Sequence, residues 1–284
     1  MKKRSKAIAA LLALAVSMTA CLTGCGRTNT NTSADASEKT ELVVFAAASM
    51  TETLNQIKTD YEAQHKDITL TYNFDSSGTL KTQIQEGATC DVFISAAQKQ
   101  MDQLDGASDQ CEGENYVLEG TRKDILENKC ALVVKEGSDI KSWDDFEAAI
   151  KAANSSDDLT FAMGNADVPV GQYTSKILTS LGLNEQDMVN KGIITYGTNV
   201  KAVTSAVSSG AADCGIIYAT DAYSAEMTPV GYADPEMTGG PCIYPVAVMQ
   251  NSKHQEEAKK FVDYLFSEEA MAFFTEVGFT EIEA

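Results

Sequence analysis

LVVFAAASMTETLNQIKTDYEAQ, residues 42–64, sets the architecture. Leu42 to Phe45 form a short apolar run of the kind found in a strand buried on both faces. After three alanines, Ser49-Met50-Thr51-Glu52 matches the capping box that opens a helix. Leu54, Ile57 and Tyr61 then recur at helical spacing among polar residues, so the helix lays one apolar stripe on a sheet and turns its other face to water. The unit is strand, tight loop, helix. Such a loop leaves the first backbone N–H groups of the helix without internal partners, next to roughly half a positive charge from the helix dipole. Anions bind at such places. Ser49 therefore reads as a helix cap, as a ligand donor, or as both, because a hydroxyl can accept from the backbone while donating its own proton.

The same unit recurs along the chain. Ile68, Leu70, Tyr72 and Phe74 alternate along a second strand, Asp75-Ser76-Ser77-Gly78 turns, and a helix over 79–86 stops at Gly87. Val92 to Ile94 form a third strand. The stretch 99–128 carries weak signals, and its glycine-containing part around 106–120 reads as a surface loop. Beyond it, strands are expected at 130–134, 159–163, 193–196, 214–218 and 244–249, with helices at 143–153, from Gly171, after Asn199, and as one long amphipathic piece over 256–276. Strand and helix units at this spacing make an α/β fold with sheets covered by helices. Two sets of units joined by single strands, with the tail returning to the first set, suggest two lobes and a cleft. Lobe 1 is expected at 41–130 plus 241–284 and lobe 2 at 131–240. Loops 46–49, 75–78, 165–170 and 197–200 all follow carboxyl ends of strands, where ligands sit in such folds.

With 284 residues and 44% hydrophobic content the chain can bury one large core or two modest ones. Its formal charge of −19 becomes more negative once Lys2, Lys3, Arg4 and Lys6 leave with an export signal. Nucleic acid, which needs clustered Lys and Arg against its phosphates, is excluded as a partner. Residues 1–24 have the basic start, short apolar run and small residues of a signal peptide. Leu22-Thr23-Gly24-Cys25 resembles the bacterial lipobox, which makes Cys25 the lipidated first residue of the mature protein, with 25–40 as a polar tether. The remaining cysteines, Cys90, Cys111, Cys130, Cys214 and Cys242, are odd in number and lack C-x-x-C spacing, so neither zinc nor a complete disulfide framework is indicated. Cys90, Cys130 and Cys214 read as small buried residues in strands, whereas Cys111 lies in a polar loop and is free to pair.

The four loops offer N–H groups, hydroxyls and small residues, a set suited to an anion that only accepts hydrogen bonds. Lys81 and Lys201 are expected on solvated faces. Val44-Phe-Ala-Ala-Ala-Ser49, Phe74-x-Ser-Ser77-x-Thr-Leu80, Asp91-Val-Phe-Ile-Ser95, Val168-Pro-Val-Gly171-x-Tyr173, Gly215-Ile-Ile-Tyr218 and Tyr244-Pro-Val-Ala247 together resemble the molybdate-binding proteins of bacterial ABC transporters. The resemblance runs from about Glu41 to the end. It implies a two-lobed, periplasmic-binding-protein-like fold of the type II venus-flytrap kind, each lobe a mixed, mostly parallel sheet covered by helices. It further implies delivery of molybdate, and usually tungstate, to a membrane permease, by a monomer without a cofactor or a directly coordinated metal. Carried over by position, the oxyanion contacts fall on the hydroxyls and N–H groups of Ser49 and Ser77, the backbone of Val170 and Val200, and the Tyr218 hydroxyl.

Sulfate and phosphate stay open as alternative anions. Phosphate carries a proton at neutral pH, and Asp75 is a carboxylate able to accept it. An exported serine hydrolase is the rival from another class. It needs a base, yet His65 and His254 sit in polar runs expected at the surface, and no G-x-S-x-G elbow is present. Ser138-Asp-Ile-Lys141 matches S-x-x-K without its companion motifs. A purely structural or adhesive lipoprotein has no need of four donor-rich helix starts.

Overall fold

A computed structural model describes residues 39–282. The proposed signal peptide, the lipobox with Cys25, and the tether up to residue 38 lie outside the described residues. The opening unit is strand β1 (Thr40–Ala47), a 3-10 turn (Ala48–Met50) and helix α1 (Thr51–Gln64). It continues through β2 (Ile68–Asp75), α2 (Ser77–Gln85), β3 (Val92–Ile94), α3 (Gln98–Asp102) and β4 (Lys123–Asn128). The second set comprises β5 (Cys130–Val134), α4 (Trp143–Ala152), β6 (Phe161–Gly164), α5 (Pro169–Ser180), α6 (Glu185–Asn190), β7 (Ile194–Gly197), α7 (Val200–Ser208), β8 (Cys214–Tyr218), α8 (Ala219–Ser224), β9 (Gly231–Tyr232) and α9 (Pro235–Thr238). The chain then returns as β10 (Cys242–Val248), α10 (Gln255–Leu265), α11 (Glu268–Glu276) and β11 (Thr280–Glu281).

Two mixed sheets result, a six-stranded one in the order β11-β4-β10-β3-β1-β2 and a five-stranded one in the order β7-β6-β8-β5-β9. Parallel pairing is confined to β2-β1-β3 and β7-β6-β8; the other pairs are antiparallel. The chain leaves the first sheet at Lys129, between β4 and β5, and comes back between α9 and β10. Sidedness explains the apolar run of β1. Leu42, Val44 and Ala46 face a core shared with Leu54, Ile57 and Tyr61 of α1 and with Phe261 and Phe274 from the C-terminal helices. Phe45 points the other way, onto Leu80 and Ile84 of α2 and Met101 of α3. Each fully buried side chain of this size contributes about 1.5–3 kcal/mol.

Several expectations change. Ser49 does not cap α1: the residue before that helix is Met50, with no side-chain cap, and the Ser49 hydroxyl goes to Tyr244 instead. The weak stretch 99–128 hides α3 and β4, and β4 runs between β10 and β11 inside the first sheet. Its sequence KDILEN buries Ile125 and Leu126 but is otherwise polar, which masks the strand. The single helix expected over 256–276 is two. Ser267 accepts from Ala270 N–H at 3.2 Å and, with Glu268 and Glu269 behind it, starts α11 afresh. Helix α5 begins at Pro169, a favourable first-turn position for proline, rather than at Gly171. The short α6, α8, β9 and α9 carry too few periodic residues to stand out.

Gly171 fixes how closely α5 sits on β6. A Cβ there would lie 2.3 Å from the Gly164 carbonyl oxygen and 2.4 Å from that of Asn165, both backbone atoms unable to swing aside. Gly171→Ala is expected to lower stability by about 1–3 kcal/mol, read by denaturant unfolding. An unchanged midpoint would show that α5 is not held by this contact.

Candidate functional site

Parallel register delivers the site. Ala47 of β1 pairs with Asp75 of β2, so the Ser49 turn and the start of α2 leave the first sheet side by side. In the second sheet Gly164 of β6 pairs with Gly197 of β7, which brings the starts of α5 and α7 together. All four loops meet, with Tyr218 at the end of β8, around a small enclosed cavity with about 10 Å³ open to the centre of a water-sized sphere. Its walls include Ser49, Asp75, Ser77, Ala96, Val170, Val200 and Tyr218. The five residues singled out from the sequence are thus brought together, and all five are buried.

The hydrogen bonds decide which protons point inward. Ser77 Oγ accepts from Ala96 N–H at 2.9 Å, which leaves its own proton to give. Tyr244 Oη stands 2.9 Å from Ser49 Oγ and accepts from Asn128 Nδ2 at 3.2 Å. With Asn128 donating to Tyr244, the tyrosine proton turns to Ser49, and the serine proton is released toward the cavity. Tyr218 Oη donates across the cleft to the Ala96 carbonyl at 3.3 Å, a long bond that an incoming acceptor can outcompete. Ser76 caps α2 through Thr79 N–H and Asn199 caps α7 through Ala202 N–H, so the Ser77 and Val200 N–H groups at the two helix starts are left without helix partners. Val170 occupies the same first turn of α5. Sequence reasoning missed Tyr244, Asn128 and Ala96. Tyr244 stood in a recognised stretch, but as an inward-facing strand residue its hydroxyl gave no separate signal.

The two sides also touch directly. Asn199 Nδ2 donates to Asp75 Oδ1 at 3.1 Å, and that oxygen also accepts from Ser76 N–H at 2.7 Å. Gly78 of α2 comes so close to the Asp167 backbone that a Cβ would lie 2.1 Å from its oxygen. Lys201, expected on a solvated face, instead bridges the cleft: its Nζ is 2.7 Å from Glu52 on α1 and 3.1 Å from Asp221 on α8. The first of its residues after the helix start lies at the cleft wall, which the polar spacing of α7 did not reveal. Glu52 is 47% exposed, so that pair is worth at most about 1 kcal/mol. Lys81 stays outside the cavity, bound to Gln103 and Glu112.

Neither histidine is near the cavity walls. His65 packs on Tyr61 with ring centres 4.1 Å apart, and half-buried His254 borders a separate hollow of about 470 Å³ that also includes Glu41, Cys90 and Asp91. That hollow is larger than the cavity, but Asp91 in it is already satisfied by Val43 N–H and the Ser252 hydroxyl. Lys141 donates to the Ser138 carbonyl rather than the hydroxyl, so the S-x-x-K stretch forms no nucleophile and base pair. Among the described residues no three His, Cys, Asp or Glu side chains gather as metal ligands.

Asp221 is fully buried, and burial pushes its carboxyl up to about 6 against the opposing pull of Lys201. An acid raised in the folded state is costly to ionise there, so this cost is present above about pH 6 and is relieved as pH falls toward the unfolded value. Unfolding measured at about pH 7.5 and about pH 5 should therefore show wild type gaining on the order of 2 kcal/mol relative to Asp221→Asn at the lower pH. Parallel pH profiles would rule this out.

Similar proteins have the same overall form. A Bacillus subtilis protein provisionally named the ABC transporter substrate-binding lipoprotein YvgL is 35% identical over 280 residues, covering 98% of each chain. The Haemophilus influenzae molybdate-binding protein ModA is 31% identical over 241 residues, covering 84% of this chain and 90% of the relative. The solved structure of the Azotobacter vinelandii periplasmic molybdate-binding protein superposes with a TM-score of 0.72 at 22% identity, covering 85% of this chain and all of that one. The pattern of the bacterial extracellular solute-binding proteins matches residues 42–280, and the chain belongs to that family.

Proposed function

We propose that the protein captures molybdate, and tungstate with it, between its two lobes and hands the ion to an ABC transporter permease. The donor set of the cavity carries this reading. Ser49 and Ser77 offer hydroxyl protons, the starts of α2, α5 and α7 offer N–H groups, and no lysine or arginine lines the walls. A tetrahedral dianion without a proton accepts every one of these bonds, and oriented dipoles in a water-poor site replace its hydration shell. The named specificity of the relatives supports molybdate in particular. Ser49 and Ser77 extend from one sheet, and Val170, Val200 and Tyr218 from the other, so binding all five closes the hinge. Cys25 holds the monomer at the outer face of the membrane, a reading supported by the lipobox and by the lipoprotein relative.

Hydrogen phosphate is the second reading, because Asp75 lines the cavity and a carboxylate accepts the proton that this anion carries. Calorimetric titration with molybdate, tungstate, sulfate and phosphate is expected to give tight binding for the first two alone. Phosphate binding that disappears in Asp75→Asn would favour the second reading.

Ser77→Ala should weaken molybdate binding about 10–100-fold by removing one hydrogen bond to a charged acceptor. It should also cost about 1 kcal/mol of stability, because Ala96 N–H loses its partner. Unchanged affinity would remove Ser77 from the site. Tyr244→Phe should weaken molybdate about fivefold without touching the ion, since Ser49 then has no donor behind it. An affinity equal to wild type would break the relay from Asn128.

A further inference from the structure

All five cysteines among the described residues are free. Three meet only carbonyl oxygens: Cys90 with Val92 at 3.2 Å, Cys111 with Glu114 at 3.6 Å and Cys214 with Thr160 at 3.9 Å. Cys130 and Cys242 instead face each other, sulfur to sulfur at 3.8 Å, although 112 positions separate them in the chain. Their places in the fold are specific. Cys130 opens β5 immediately after the outward crossing at Lys129, and Cys242 opens β10 immediately after the return. Cys242 is in register with Asn128 of the first sheet, and Cys130 with Tyr218 of the second. The two thiols therefore stand where both chain crossings run side by side.

We propose that Cys130 and Cys242 form a redox-active dithiol across the hinge, which exchange with a low-molecular-weight disulfide converts into an intramolecular disulfide. A cavity of about 320 Å³, whose walls include Asn128, Lys129, Cys130, Asp234, Pro241 and Cys242, brings the reagent to the pair. Cys242 is the more exposed of the two and meets it first. Its thiolate attacks one sulfur of the reagent, forming a mixed disulfide and releasing one reagent thiol. The Cys130 thiolate then attacks the Cys242 sulfur and releases the second. The protein gives up two protons and two electrons, one S–S bond is broken in the reagent, and one is formed in the protein. The sulfurs need to close from 3.8 Å to about 2.0 Å, a move on the scale of side-chain rotation. In the closed form the Cys130 thiol is held protonated by its contact with Cys242 and by burial, so the exchange accelerates with rising pH.

The product is a third covalent link beside the two crossings, and it restricts the rotation that parts the lobes. This inference does not depend on which ion the cleft holds. Its test is to treat the reduced full-length protein with glutathione disulfide at about pH 8.5 and map the peptides by mass spectrometry. A Cys130–Cys242 crosslink is expected, absent from Cys130→Ala and from Cys242→Ala and reversed by dithiothreitol. The oxidised protein should melt about 5–10 °C higher, because the bond closes a long loop in the unfolded chain. Thiols that stay free, glutathione adducts that never resolve, or a crosslink through Cys111 would each overturn the proposal.

Discussion

Two strands that run the same way must end on the same edge of their sheet, and the pairing of β1 with β2 and of β6 with β7 imposes this twice. Whatever follows the four strands is forced together, and here each is followed by a helix start. Helix starts carry unpaired N–H groups and partial positive charge, so the topology builds an anion-binding site before any particular side chain is chosen. The strands between them serve a different purpose. Antiparallel β4, β5 and β10 connect the sheets and hold Asn128 and Tyr244 under the cavity floor, where they orient the Ser49 proton.

Cations are kept out of the cavity. Lys201 comes near, but its charge is spent on Glu52 and Asp221. A free lysine would hold any anion, protonated or not, whereas a lining of N–H and O–H groups favours those with lone pairs on every side. The charge of −19 acts against this only at long range. Beyond a screening length of about 8 Å at physiological salt it is largely damped, and the oriented dipoles at contact distance prevail.

The sequence displayed the repeating unit clearly because β1, β3, β5 and β8 are buried on both faces and read as unbroken apolar runs. The loops between these strands and their helices followed directly, and with them Ser49, Ser77, Val170, Val200 and Tyr218. Elements that are half polar did not show. β4 hides its two buried residues among charges, and the Ser267 break is a capping signal set inside an otherwise continuous amphipathic pattern. The second layer of the site was illegible for a different reason. Tyr244 lies 195 positions from Ser49, and Lys201 149 positions from Glu52, so only the folded chain discloses these partnerships.

The seam above the cavity is closed by main chain. Where Gly78 passes the Asp167 carbonyl there is no side chain to rotate out of the way. A gate made of a tyrosine or an arginine can flicker open in nanoseconds while the rest of the protein stands still; this one has no leaf to lift. An enclosed ion leaves when the halves come apart as bodies, so its dwell time is a property of the whole molecule's bending stiffness rather than of local side-chain motion.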